Sequence, residues 1–117
     1  MEWIFILLII GFFAWRMMPT KGVRTLSTDE LKEILKDKTK QFVDVRTPTE
    51  YKGRHIKEFK NIPLQALKSQ LGSLDKEKEV VVICQSGMRS SQAAGVLKKA
   101  GFVKVTNVKG GMSAWRG

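Results

Sequence analysis

The sequence predicts an α/β fold, a small central, mostly parallel sheet flanked by helices, preceded by one N-terminal transmembrane helix. Three observations carry that expectation. An unbroken apolar run opens the chain, and short apolar strands then alternate with helical patterns. The most apolar strand, Val80-Val81-Val82-Ile83, lacks the alternation of a half-exposed strand, as expected when helices cover both faces. At 117 residues there is room for one compact domain after the apolar run.

From Trp3 to Trp15 every residue is apolar, and Glu2 is the only charge before Arg16. Three readings compete for this segment. Its length suits the core of a cleaved signal, but an early positive charge and a small-residue cleavage site are both missing. A buried core helix is the second reading. The third is a retained anchor over residues 1–18, in which Met17 and Met18 join the run and Arg16 reaches out to the headgroups. About 18 residues rise about 27 Å, close to the thickness of a hydrocarbon core. Trp3 and Trp15 then fall near the two interfaces. The anchor reading is taken forward, with residues 19–23 as linker and 24–117 as the folded domain. All 21 Lys and Arg residues lie at or after Arg16, so the positive-inside tendency puts the domain in the cytoplasm, on a single-pass protein of the cell membrane.

The net charge of +10 has three possible roles. Residues 1–18 would hold the domain over anionic membrane lipid, a positive field would favour small anionic substrates, or the charge is simply a solvated surface. Nucleic acid is not an expected partner, because the basic residues are spread along the chain without an aromatic-basic stripe. One cysteine excludes an intrachain disulfide. One histidine with one cysteine does not make a metal site, and no cofactor is expected.

Taken in order, residues 23–26 suit a short edge strand. Ser27 and Glu30 have the reciprocal spacing of a helix-starting capping box, and Leu31, Ile34 and Leu35 give that helix an apolar stripe. Residues 41–45 form a strand that Thr47-Pro48 breaks, with Pro48 opening a small helix through Tyr51. Asn61-Ile62 is a brief strand stopped by Pro63, and residues 65–71 are weakly helical. Residues 79–84 make the clearest strand. Residues 90–100 are helical with Ala93, Ala94, Val96 and Leu97 inward, and Gly101 ends the helix. A strand over 102–108, a turn at Gly110-Gly111 and a last helical turn around Trp115 complete the chain.

In open parallel sheets, ligands bind where strand C-termini meet helix N-termini. Cys84 lies at such a junction, in Cys84-Gln85-Ser86-Gly87-Met88-Arg89-Ser90. A short loop curled around its own cysteine turns backbone N–H groups inward, and Gly87 supplies the freedom to curl. The following helix points its positive end at the sulfur, and Arg89 adds a full charge. Each favours thiolate over thiol and makes Cys84 the catalytic nucleophile, with Gln85, Ser86, Gly87, Met88 and Ser90 as its cradle. The same cradle suits an anionic persulfide, formed from a sulfur donor and discharged to an external acceptor. The spacing from Cys84 to Arg89 is C-x4-R, one residue shorter than the C-x5-R ring of cysteine phosphatases and some arsenate reductases.

Three segments together resemble a single-domain rhodanese over nearly all of residues 24–117. They are Asp44-Val45-Arg46 with Glu50-Tyr51, His55-Ile56 and Asn61-Ile62-Pro63; the Cys84 loop; and Gly110-Gly111-Met112-Ser113-Ala114-Trp115. An apolar anchor before such a domain also resembles membrane-bound bacterial members. The resemblance implies a sulfurtransferase that moves sulfane sulfur from a small anionic sulfur donor, thiosulfate or a protein or low-molecular-weight persulfide, to a thiol or protein sulfur acceptor. It implies Cys84 as persulfide carrier and Arg89 as the group that stabilises its anion, with Asp44 and Arg46 bracing the loop from beneath or beside. Arg54, Glu58 and Phe59 stand where the family commonly has Gly, Gly and Ala, which leaves the local turn and the rim of the pocket open.

Alternatives remain at several positions. Arg46 either supports the site or pairs with Glu50. His55 ties down the turn before Asn61 or tunes the site with pH, and Trp115 is a core plug or a substrate platform. At the level of the whole chain, a membrane-tethered docking module without turnover competes with the enzyme, and a cysteine phosphatase or arsenate reductase is the weaker rival.

Overall fold

The computed structural model describes residues 2–17 and 22–117. The chain opens with α1 (Glu2–Met17) and continues through β1 (Val23–Leu26), α2 (Thr28–Ile34), β2 (Lys40–Asp44), α3 (Pro48–Gly53) and β3 (Lys60–Asn61). Then come α4 (Leu64–Leu67), a 3₁₀ turn at Lys68–Ser73, β4 (Glu79–Ile83), α5 (Met88–Lys99), β5 (Val105–Val108) and α6 (Gly111–Ala114).

All five strands form one sheet in the order β1-β5-β4-β2-β3, and every pairing is parallel. The expected sheet is therefore present and wholly parallel. β4 sits at its centre because its β-branched run suits a pleated strand covered on both sides. Val80 and Val82 face one layer, with Leu67 of α4 and Ala93, Ala94 and Leu97 of α5. Val81 and Ile83 face the other, with Leu31 of α2 and Met112 of α6. Successive side chains of one strand thus seed both halves of the core.

Local signals explain the element starts. Ser27 Oγ accepts from Glu30 N at 3.2 Å while Glu30 Oε1 accepts from Ser27 N at 3.1 Å, the expected capping box. Thr47 and Glu50 make a second box at the start of α3, with Pro48 in its first turn. Two of the boundary differences from the sequence reading have a visible cause. The last strand begins at Val105 rather than 102, since Phe102 is drawn into the core below α5 and Val103 N bonds to Lys76 O. The main helix starts at Met88 rather than 90, because Gly87 already turns the chain with a φ of 109°.

Where a transmembrane helix over residues 1–18 is expected, the structure describes a helix over Glu2–Met17. Among the described residues no helix is long and apolar enough to cross a membrane. Its described side chains are nevertheless exposed, Phe5 by 70% and Leu8 by 64%. Met18 and residues 19–21 of the expected linker lie outside the described residues. Of the three departures from the family pattern, Phe59 turns into the core. It is 2% exposed and meets Phe42 with ring centroids 5.2 Å apart, filling the layer beneath α2. Arg54 and Glu58 stay at the surface.

Replacing Phe59 with Ala should therefore cost about 3–5 kcal/mol of folding stability, as other deep aromatic truncations do. Urea denaturation measures this; a loss below about 1 kcal/mol would mean the ring is not a core member.

Candidate active site

Cys84 follows the last residue of β4 at the C-terminal edge of the sheet, and the next three residues curl back around its sulfur. Gly87 N donates to Sγ at 2.9 Å, and the Ser90 hydroxyl lies 3.3 Å away. Burial is the largest influence on the thiol pKa and pushes it up. The hydrogen bonds of the Ser90 side chain and of the Ser90, Gly87 and Ser86 amides outweigh it, so the net direction is down from 9.0. The side chain has no solvent exposure, yet its neighbours on this side are polar donors. Gln85, Ser86 and Met88 form the exposed outside of the curl, with Met88 76% exposed.

The curl is held from below by α6. Met112 N donates to Cys84 O at 2.8 Å and Ser113 N to Gln85 O at 2.9 Å. This approach requires Gly111, which has a φ of 56° and whose added Cβ would strike the Cys84 carbonyl. Gln85 also donates from Nε2 to Ser113 Oγ at 3.2 Å. The Gly110-Gly111 turn, visible in the sequence, thus serves the cysteine loop rather than merely ending the fold.

Asp44 and Arg46 lie beside the loop as a buried pair. Arg46 Nη2 and Nε bond Asp44 Oδ2 at 2.8 and 3.1 Å, and Arg46 Nη1 reaches Gln85 Oε1 at 3.3 Å. Nη2 also bonds Arg54 O at 2.6 Å, tying the end of α3 to the site. Asn61 Nδ2 bonds the carbonyls of Asp44 and Arg46, both at 3.0 Å, which secures the strand end that carries them. Arg46 therefore pairs with Asp44, not with Glu50.

Arg89, expected to stabilise the Cys84 anion, stands in the first turn of α5, and its guanidinium grips Glu50 at 2.6 and 2.9 Å. That geometry is a fork on a carboxylate. Its charge still acts on Cys84 through space, but its donors are committed elsewhere. Glu50, which sequence reasoning did not count as a site residue, is held down to about 2, chiefly by the Arg89 hydrogen bond. Its position in the Asp44-Val45-Arg46-x3-Glu50 run was the available signal. His55 stacks on Tyr51 at 3.9 Å and bonds Tyr51 O through Nδ1 at 2.8 Å, within α3 and the turn after it. Trp115 is half-buried against the α2 layer, with Lys32 Nζ 5.6 Å from its ring centroid.

A profile of the rhodanese-like domain matches residues 27–117. The chain belongs to the rhodanese-like domain family. It is 35% identical over 114 residues to the uncharacterized protein YqhL of Bacillus subtilis (strain 168), covering 97% of this chain and 89% of that one. It is 33% identical over 90 residues to the thiosulfate sulfurtransferase GlpE of Shewanella oneidensis, covering 77% and 89%. Among solved structures, a rhodanese-like domain protein from Staphylococcus aureus superposes with a TM-score of 0.74 at 36% identity, over 80% of this chain and 91% of that one. The rhodanese-like fold accounts for the wholly parallel sheet and for helices on both of its faces.

The Glu50–Arg89 pair gives a pH test. Glu50 is lowered from 4.5 to about 2 in the folded protein, so the pair stabilises fully above 4.5 and its contribution is lost as pH falls through about 2. Glu50→Gln should lower the melting temperature at neutral pH by a few degrees or less, because both side chains are about a third exposed (33% and 35%) and such pairs contribute about 1 kcal/mol at most. The gap to wild type should close on acidification; a gap of constant size would show that Glu50 acts by shape rather than charge.

Proposed function

We propose that this rhodanese-like chain is a sulfurtransferase that carries sulfane sulfur on Cys84. The observation that carries the reading is the lone sulfur ringed by the Gly87 amide at 2.9 Å and the Ser90 hydroxyl at 3.3 Å, with further amides lowering its pKa. Such a ring stabilises a thiolate without a general base, and it equally suits the negative end of a persulfide. In the first step the Cys84 thiolate attacks the outer sulfur of thiosulfate or of a persulfide. A new S–S bond forms, the donor's own S–S bond breaks, and sulfite or a thiolate leaves with the electron pair. In the second step an external thiolate attacks the outer sulfur of the Cys84 persulfide and releases the Cys84 thiolate. Cys84 is the one cysteine of the chain, so the acceptor comes from outside.

Gln85, Ser86, Gly87, Met88 and Ser90 form the cradle in this reading, Arg46 and Asp44 hold it from the side, and Arg89 lends long-range positive charge. Relatives named as sulfurtransferases, among them the Shewanella oneidensis protein, favour the same reaction class. The phosphatase alternative is disfavoured by the C-x4-R spacing, one residue short of the phosphatase ring, and by the hold of Glu50 on two of the Arg89 N–H groups. Cys84→Ser should abolish sulfur release from thiosulfate. Wild-type protein exposed to donor and isolated without reductant should gain the mass of one sulfur atom, and a variant that still turned over would end the claim for Cys84. A folded protein that gains no sulfur from any donor would support the docking-module reading.

The finer part of the proposal concerns α1. From Trp3 to Phe12 the described side chains of α1 are apolar and exposed, which favours a lipid environment. The alignment with YqhL extends over 97% of the chain and so reaches into this helix. The basic domain would then face the cytoplasmic leaflet. The full chain should float with vesicles of mixed anionic and neutral lipid in high salt, where a purely electrostatic association is screened. Release by salt would show that α1 does not insert.

A further inference from the structure

Ser90 carries one hydroxyl proton but has three acceptors in reach: Cys84 Sγ at 3.3 Å, Gly87 O at 3.1 Å and Asn107 Oδ1 at 2.5 Å. The shortest of these contacts runs to Asn107, a polar side chain on β5 that is only 9% exposed and that no sequence motif singled out. On its other side the same amide donates from Nδ2 to Ser91 Oγ at 3.0 Å. With the Ser90 proton on Asn107 Oδ1, the sulfur receives nothing from that hydroxyl. The Ser90–Cys84 contact is then completed by the thiol S–H donating to Ser90 Oγ. That arrangement fits the neutral cysteine.

A primary amide exchanges donor and acceptor when it turns by half a revolution about its last bond. After such a turn, Asn107 Nδ2 donates to Ser90 Oγ and the Ser91 hydroxyl donates to Asn107 Oδ1. The Ser90 proton is then free to point at the sulfur, which has given up its own proton to solvent. Both arrangements use the same number of hydrogen bonds, so the choice between them falls to the charge on Cys84. We propose that Asn107 is a positioning residue whose side-chain amide turns over with the ionisation of Cys84, delivering the Ser90 proton to the thiolate or persulfide and withdrawing it from the thiol. The inference rests on the proposed role of Cys84 as an ionised nucleophile.

Charged groups surround Cys84 from other elements as well: Arg89 of α5 with its partner Glu50 of α3, and the Asp44–Arg46 pair at the end of β2. β5 contributes the neutral Asn107. Replacing it by a carboxylate therefore has two separable consequences. Asp at 107 accepts only, so it keeps the Ser90 proton permanently; it also adds a charge that repels the thiolate directly.

Two readouts test the proposal, both made on the thiol and independent of turnover. In isotope-labelled wild-type protein, the side-chain amide resonances of Asn107 should titrate with the midpoint at which thiolate absorbance appears, and that response should vanish in Ser90→Ala. Asn107→Asp should raise the Cys84 midpoint by about one pH unit or more, the size of one charge-assisted hydrogen bond, whereas Asn107→Ala should not raise it. In a Ser90→Ala background the Asp replacement should raise the midpoint by clearly less, leaving only the direct repulsion of the added charge. Amide resonances that stay flat while Cys84 ionises would overturn the relay, and so would an Asp effect of equal size with and without Ser90. Failure of sulfur transfer with the titration intact would instead count against the proposed function and leave the relay standing.

Discussion

A sulfur removed from solvent keeps a negative charge only where fixed donors replace the water it has lost, and that requirement organises the region around Cys84. The residue has no exposed surface, so desolvation alone would hold it as a neutral thiol. Its anion is stabilised by the Gly87, Ser86 and Ser90 amides, fixed by the backbone, together with the Ser90 hydroxyl in the first turn of α5. Because the donors are mostly main chain, their positions depend on the backbone path of residues 84–90. The chemistry is therefore as secure as that path.

Much of the remaining structure can be understood as support for it. β4 runs between β5 and β2, so both neighbouring strands end where the curl begins. From the β5 side the chain turns at Gly110-Gly111 and sends two amides of α6 onto the carbonyls of Cys84 and Gln85. From the β2 side the buried Asp44–Arg46 pair reaches the Gln85 side chain. A buried ion pair is weak support for stability by itself, but here each partner has further hydrogen bonds and the guanidinium fixes three pieces of chain at once. Carbonyls turned toward α6 leave the amides of the curl turned toward the sulfur.

The Glu50–Arg89 fork illustrates how a local rule and a tertiary contact combine. Thr47 and Glu50 cap the start of α3, yet the same carboxylate takes the guanidinium of α5 from across the sheet edge. One residue thus fastens α3 to the helix that begins at the active loop. Arg89 keeps its positive charge near Cys84 while its donors are held, which leaves the innermost ring to neutral groups. In the proposed cycle, neutral donors suit a sulfur that is charged first as thiolate and then as persulfide, and discharged without being trapped.

The sequence by itself determined the alternation of elements, the buried central strand, the cysteine at its end, the capping box at Ser27 and the flexible Gly87. Each follows from periodicity, short-range spacing or the special backbone freedom of one residue type, so neighbours in the chain suffice to read it. The partners of Arg46 and Arg89, the core position of Phe59, the bracing amides of Met112 and Ser113, and the contact between Ser90 and Asn107 were decided only by tertiary structure. These depend on which strands lie side by side, and residues 39 apart in the chain, such as Glu50 and Arg89, meet only after β2 and β4 have paired.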